Sequence, residues 1–184
     1  GLLNVHIDEH VLTSSSTFSY QPDPNILDVF PRKSILSGGI PITVKGNDLN
    51  ASENPLMTGE TTDSKALGVN TTCSVQDGGA VMVCPSMNVS GIIEPGGAQT
   101  YIYFMYDGTR WPQTHEYSLA FQYHADPVFL PFSKSIREFD VNQGEMIFPG
   151  LNILKADQKD YQVLVGKTVC TVVDIDEFEL KCRP

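Results

Sequence analysis

The stretch Thr17-Phe18-Ser19-Tyr20-Gln21-Pro22-Asp23-Pro24 constrains the fold more than any other, because it occurs twice. It returns as Ala120-Phe121-Gln122-Tyr123-His124-Ala125-Asp126-Pro127. Each copy closes one alternating apolar run and opens the next. Side chains of an extended chain alternate with period 2, so Phe18 and Tyr20 share a face, as do Phe121 and Tyr123. Proline has no N–H to give to a ladder, so the strand stops there. A strand that stops at Asp-Pro and restarts marks a joint between units. The two copies are spaced by about 100 residues, the size of a small β-sandwich, which predicts an array of similar modules.

The repeat extends beyond the joints. Ser37-Gly38-Gly39-Ile40-Pro41-Ile42-Thr43-Val44 follows the first, and Asn142-Gln143-Gly144-Glu145-Met146-Ile147-Phe148 follows the second at a similar distance. Each copy then reaches two cysteines, Cys73 and Cys84, then Cys170 and Cys182. An Asp-centred turn precedes each joint, at Asp8-Glu9 and at Asp107-Gly108. Residues 1–20 are therefore expected to be the last hairpin of a preceding module. Residues 21–123 are expected to be a complete module, and 124–184 a following module that is incomplete, with an unpaired sheet edge.

Composition agrees with an all-β chain. Charged residues make up 18% of the 184 residues, below the usual quarter, and 15 Gly and 12 Pro imply many turns. No apolar stretch keeps helical spacing for more than about two turns. None approaches the ~20 apolar residues of a membrane-spanning helix, so no direct membrane insertion is expected. Nothing at Gly1 reads as a signal peptide, which fits an internal or processed segment. The net charge of −10 argues against nucleic acid, whose binders cluster Lys and Arg. It argues equally against an anionic membrane surface.

Four cysteines allow three pairings. Cys73 and Cys84 flank the turn signal Asp77-Gly78-Gly79 at equal distance, and Cys170 and Cys182 flank Asp174-Ile175-Asp176. Residues opposed across an antiparallel ladder have Cα atoms ~4.5–5.5 Å apart, within the span of a disulfide. The expected bridges are Cys73–Cys84 and Cys170–Cys182, with Phe178, Leu180 and Cys182 on one face of the last strand. A zinc site lacks the C-x₂-C knuckle and the His spacing it would need. Three N-x-[ST] sequons, at Asn50, Asn70 and Asn88, point to glycosylation in an oxidising compartment.

Taken in order, Leu3–Ile7 and Val11–Tyr20 form a hairpin, and Asn25–Phe30 a short strand closed by Pro31. Ile42–Lys45 is a strand with Ile42 and Val44 inward, and Gly46-Asn47 suggests a bulge or bend. Residues 47–72, rich in Asn, Thr, Ser, Gly and Asp, are expected to be a long mobile loop. Tyr101–Tyr106, apolar on both faces, is expected to be a central strand. Tyr117, Leu119, Phe121 and Tyr123 form the inward face of its partner, with Trp111-Pro112 packed over the strand end.

No catalytic constellation is found. There is no G-x-S-x-G elbow, no P-loop and no G-x-G-x-x-G. His6, His10, His115 and His124 fall in turns, strand ends and linkers. Asp174-x-Asp176-Glu177 lacks the rhythm of a calcium loop. Asp23 and Asp126 are expected to make local turn hydrogen bonds before their prolines. Neither a cofactor nor a metal is expected.

At the joints Tyr20, Asp23, Pro24 and Tyr123, Asp126, Pro127, and at Ser37-Gly38-Gly39-Ile40-Pro41-Ile42-Thr43-Val44-Lys45-Gly46-Asn47-Asp48-Leu49, the chain resembles the Ig-like IPT/TIG repeats of plexins and the related MET and RON receptors. Phe104-Met105-Tyr106-Asp107-Gly108, Asp126-Pro127-Val128-Phe129 and Asp160-Tyr161-Gln162-Val163-Leu164-Val165-Gly166 with Cys170 extend the likeness. The resemblance implies tandem immunoglobulin-like sandwiches in the ectodomain stalk of a single-pass semaphorin receptor at the plasma membrane. Semaphorin would bind other domains of the same receptor, and receptor self-association is a further partner class. The segment would set spacing and orientation, without enzyme activity. A MET/RON-like receptor binding growth factor directly is the alternative, with Trp111 as the visible candidate contact. IPT modules beside carbohydrate-acting enzymes, and DNA-binding Rel-type modules, are disfavoured by the absence of a paired-carboxylate domain, by the charge and by the sequons.

Overall fold

A computed structural model describes residues 2–17, 21–94, 99–112, 119–131 and 144–184 of the chain. Phe18, Tyr20, His115, Tyr117 and Phe132 lie outside these. The described residues are all-β, apart from three short helical turns.

The first two strands, β1 (Leu2–Ile7) and β2 (His10–Thr17), form a hairpin turned at Asp8. Nearly all of its side chains are exposed. The next unit is a sandwich. One sheet runs β3 (Asn25–Phe30), β5 (Pro41–Asn47), β9 (Val81–Pro85), β8 (Ser74–Gln76). The other runs β4 (Lys33–Ile35), β12 (Leu119–His124), β10 (Thr100–Tyr106), β6 (Leu56–Thr61), β7 (Ala66–Thr72), with β11 (Thr109–Trp111) paired to β10. Alternation decides which side chains fill the space between them. On β5, Ile42 and Val44 point in, as the sequence indicates, and on β10 so do Ile102, Phe104 and Tyr106. Met57, Met82 and Phe121 complete a core drawn from both sheets. Fully burying each of these side chains is worth about 2–3 kcal/mol.

The last unit is a five-stranded sheet ordered β13 (Val128–Phe129), β14 (Met146–Leu151), β17 (Glu179–Arg183), β16 (Thr168–Ile175), β15 (Val163–Val165). Among the described residues its buried cluster holds Ile153, Cys170, Leu180 and Cys182, with Met146, Phe148 and Val172 half-covered around them. Along β15, Leu164 is 56% exposed at the open edge of the sheet.

Both bridges form in the expected pairing, with Cα atoms 4.2 Å apart for Cys73–Cys84 and 5.4 Å for Cys170–Cys182. The first closes the β8–β9 hairpin face to face. The second does not, because Val172 stands opposite Cys182 and the register shifts between Val172 and Asp174. Cys170 therefore reaches Cys182 along a diagonal of the ladder. Phe178 does not share the buried face of Leu180 and Cys182. It is 65% exposed, because the Asp176 carboxylate accepts the N–H groups of Phe178 and Glu179 at 2.7 and 2.8 Å and bends the chain before the strand begins.

Residues 47–72 are the main correction to the sequence reading. They are not one long loop: β6 and β7 pair as a hairpin in the second sheet, β6 against the central β10 and β7 at the end of the order. The alternation exists, with Met57 and Gly59 inward and Leu56, Thr58 and Glu60 outward, but small and polar residues hide it. Gly59 is itself a packing choice, since a Cβ there would lie 2.9 Å from the Tyr101 carbonyl oxygen. The irregularity expected at Gly46-Asn47 sits across the ladder, where Leu27 is the extra residue between Ile26 and Asp28. Trp111 lies on β11 opposite Phe104 of β10, not over a strand end, and is half-buried against the sandwich core.

Candidate functional site

At the second joint, long-range polar contacts tie the sandwich to the last unit. The geometry of the joint starts in β12, which pairs in parallel with β4 through Gln122–Lys33, Tyr123–Ser34 and His124–Ile35. Phe121 and Tyr123 are buried on one face with ring centroids 5.1 Å apart. Burial pushes the Tyr123 phenol well above its ordinary value. The parallel track continues past the strand, where Leu36 donates its N–H to the His124 carbonyl at 3.0 Å. The next step is taken by a side chain: Ser37 donates its N–H to Asp126 Oδ1 at 2.8 Å. Where the backbone ladder ends, the Asp126 carboxylate supplies the acceptor for the next N–H of the partner segment.

Asp126 therefore does not make the local turn bond expected of an Asp before Pro. Its oxygen goes to a residue 89 positions away. The partner lies in the turn Ser37-Gly38-Gly39, held by Gly38 N–H to the Ile35 carbonyl and Gly39 N–H to the Ser86 carbonyl. Gly38 has φ +73°, and a Cβ there would lie 2.6 Å from the backbone of Met87, so only glycine fits.

The other side of Asp126 faces the last unit. Asn152 Nδ2 donates to the Asp126 carbonyl oxygen at 3.3 Å. Asn152 is at φ 60°, a conformation asparagine tolerates, and opens the turn that follows β14. Lys33 on β4 pairs with Asp157 at 3.1 Å, also across the joint. Phe129 meets the Tyr161 ring edge-on at 6.3 Å, and the Tyr161 hydroxyl donates to the Ile153 carbonyl at 2.6 Å. Burial, with the Asp160 charge behind it, raises the Tyr161 phenol to about 12. His124 is half-buried, and burial, then the charges of Lys155 and Lys33, lowers its pKa. Between Ile40 and Pro41 on one side and Phe129, Lys159 and Tyr161 on the other lies an open cleft of about 750 Å³.

The first joint is described from Gln21 onward. There Pro24 is buried and Asp23 exposed. The sequon residues Asn50, Asn70 and Asn88 are all exposed. Asn50 sits in a turn, Asn88 in a segment without regular secondary structure, and Asn70 on β7. His6 and His10 are exposed on the first hairpin. Among the described residues no three His, Cys, Asp or Glu side chains converge as they would around a metal ion. No described helix is long and apolar enough to cross a membrane. The reach of Asp126 was not legible in the sequence, because the Ser37 turn it binds is distant in the chain. The repeated Asp-Pro marked the residue but not its partner.

No protein-family model matches the chain. A solved structure of the full extracellular region of plexin A4, domains 1 to 10, matches over 98% of this chain at 22% identity, with a TM-score of 0.56. A second, of the same region with domains 1 to 8, matches over 96% at 14% identity, with a TM-score of 0.47 and 17% of its own length covered. This chain spans 15% of the first plexin A4 chain and shares with that part of it a fold.

Proposed function

We propose that the chain is a spacer segment in the ectodomain of a plexin-type, single-pass semaphorin receptor. In this reading it holds two neighbouring Ig-like units at a set angle, and ligand binds elsewhere in the receptor. The observation that carries the reading is Asp126, whose carboxylate and carbonyl oxygens are tied to opposite units, to Ser37 and to Asn152. The Lys33–Asp157 ion pair adds a second tie across the same joint. Two disulfides and a fold shared with a plexin extracellular region support an extracellular setting. The MET/RON-like alternative relied on Trp111 as a contact, and that side chain packs half-buried on the core of its own unit.

The test uses the full receptor with Asp126 and Lys33 both replaced by alanine. Ligand affinity is expected to stay within about twofold, a change of roughly 0.4 kcal/mol. Ligand-induced signalling is expected to fall, because the angle between units is no longer fixed. A loss of affinity of tenfold or more, with the protein still folded, would show that this segment binds ligand and would return the growth-factor-type reading.

A further inference from the structure

We propose that Asn70 carries an N-linked oligosaccharide whose first sugars lie on the outer face of the β4–β12–β10–β6–β7 sheet, over Thr58 and against Tyr103. The inference rests on the extracellular reading above, because only a chain in the secretory route meets the glycosylating machinery.

Register places the three residues in one row. Asn70 on β7 stands opposite Thr58 on β6, and Thr58 stands opposite Tyr103 on β10. Residues paired across a ladder point to the same side of the sheet. The neighbours Met57 and Phe104 are buried in the sandwich, so the row faces outward. Adjacent strands are about 4.8 Å apart, which puts Tyr103 roughly 10 Å from Asn70, within reach of a linked disaccharide.

The far end of the row is a pinned aromatic ring. The Arg110 guanidinium lies 4.0 Å from the Tyr103 ring centroid. Arg110 is in turn gripped by both carboxylate oxygens of Glu60, at 2.9 and 3.1 Å. A ring already fixed in place gives up little freedom when a second surface packs on it. Tyr101, Tyr103 and Met105 remain half-exposed along the strand, beside the charges of Glu60 and Arg110. That mixture of aromatic surface and charge suits a pyranose, which has an apolar C–H face and a rim of hydroxyls.

The sequon itself is presented. Asn70 and Thr72, its hydroxyl residue, are both exposed. The other two sequons differ. Asn88 Oδ1 accepts the Ser90 N–H at 3.1 Å within its own segment. The Asn50 side chain packs onto Gly79, and its sequon Ser52 is buried with its hydroxyl donated to Asp107 at 2.8 Å. Among the described strands β7 is also the outermost of its sheet, so a sugar on Asn70 would stand beside a backbone edge that could otherwise pair with another chain.

The experiment is carried out on the chain secreted from eukaryotic cells. Glycopeptide mass spectrometry reads the occupancy of each sequon, and covalent surface labelling reads the accessibility of Tyr101 and Tyr103. Sugar on Asn70 is expected, with labelling of Tyr103 rising several-fold after enzymatic deglycosylation of the folded protein. Thr72→Ala, which removes the sequon and keeps Asn70, is expected to show the same rise. Sugar on Asn50 or Asn88 with Asn70 bare would overturn the inference and leave the extracellular reading standing. So would sugar on Asn70 with Tyr103 labelling unchanged by its removal. Bare sequons throughout, together with free thiols, would overturn both.

Discussion

Asp126 uses its two kinds of oxygen for two directions, and that makes it the residue to remove first. Asp126→Ala takes away a charge-assisted bond in a partly exposed place, and we expect a cost of about 1 kcal/mol. The loss should fall on the coupling between units, not on either core. It is therefore read as a broadened interdomain distance distribution in X-ray scattering, with the main thermal transition barely moved. His124 gives the joint a pH dependence. Its pKa is lowered in the folded chain, so below its ordinary value the unfolded chain binds the proton more readily. Stability at the joint should fall as pH drops through about 6.5, and His124→Gln should flatten that slope in a pH series of unfolding midpoints. Tyr106 acts at the other end of the scale. Burial raises its phenol to about 12, and its hydroxyl meets Met82 Sδ at 3.6 Å. Above pH 10 the unfolded chain loses that proton first, so stability should fall between pH 10 and 12. Absorbance titration should show a late-titrating phenol that Tyr106→Phe removes.

At the scale of elements, the β6–β7 hairpin shows what sequence patterning misses. Its inward positions include Gly59, and its outward ones Thr58 and Asn70, so the apolar alternation is faint in the text. Burial against Met87 and Leu67 supplies what the propensities lack. The Ser37-Gly38-Gly39 turn was legible, because glycine beside glycine marks backbone that other residues cannot adopt. Gly38→Ala should cost several kcal/mol, since the new Cβ would meet the Met87 backbone at 2.6 Å with φ still positive. Denaturant titration with unchanged slope would confirm a loss of stability of the same fold. The two disulfide hairpins close loops of similar length, with separations of 11 and 12 residues. Chain entropy alone gives each about 3 kcal/mol.

At the scale of the whole molecule, the two cores are unequal. The sandwich core draws on both of its sheets, whereas the described residues of the last unit include four fully buried side chains, Ile153, Cys170, Leu180 and Cys182. Equal disulfides should then matter unequally. Replacing Cys170 and Cys182 with alanine should unfold the last sheet at physiological temperature, while the sandwich persists. Hydrogen exchange should show β14, β16 and β17 losing protection while β5, β9 and β10 keep it. A single cooperative loss across both units would show instead that the joint couples them more tightly than two hydrogen bonds and an ion pair allow.

The sequence by itself determined the all-β class, both disulfide pairings and the strands that follow Cys73 and lead into Cys84 and Cys182. These depend on local rules: period-2 burial, proline's missing donor, glycine's access to positive φ, and cysteines spaced evenly about a turn. Tertiary structure decided what local rules cannot reach. It recruited a polar, glycine-bearing stretch into the second sheet of the sandwich, slid Cys170 onto a diagonal, and sent the Asp126 carboxylate to a turn 89 residues away. Each of those outcomes depends on which distant surface is at hand when the chain closes up, and that is settled by packing the whole core at once.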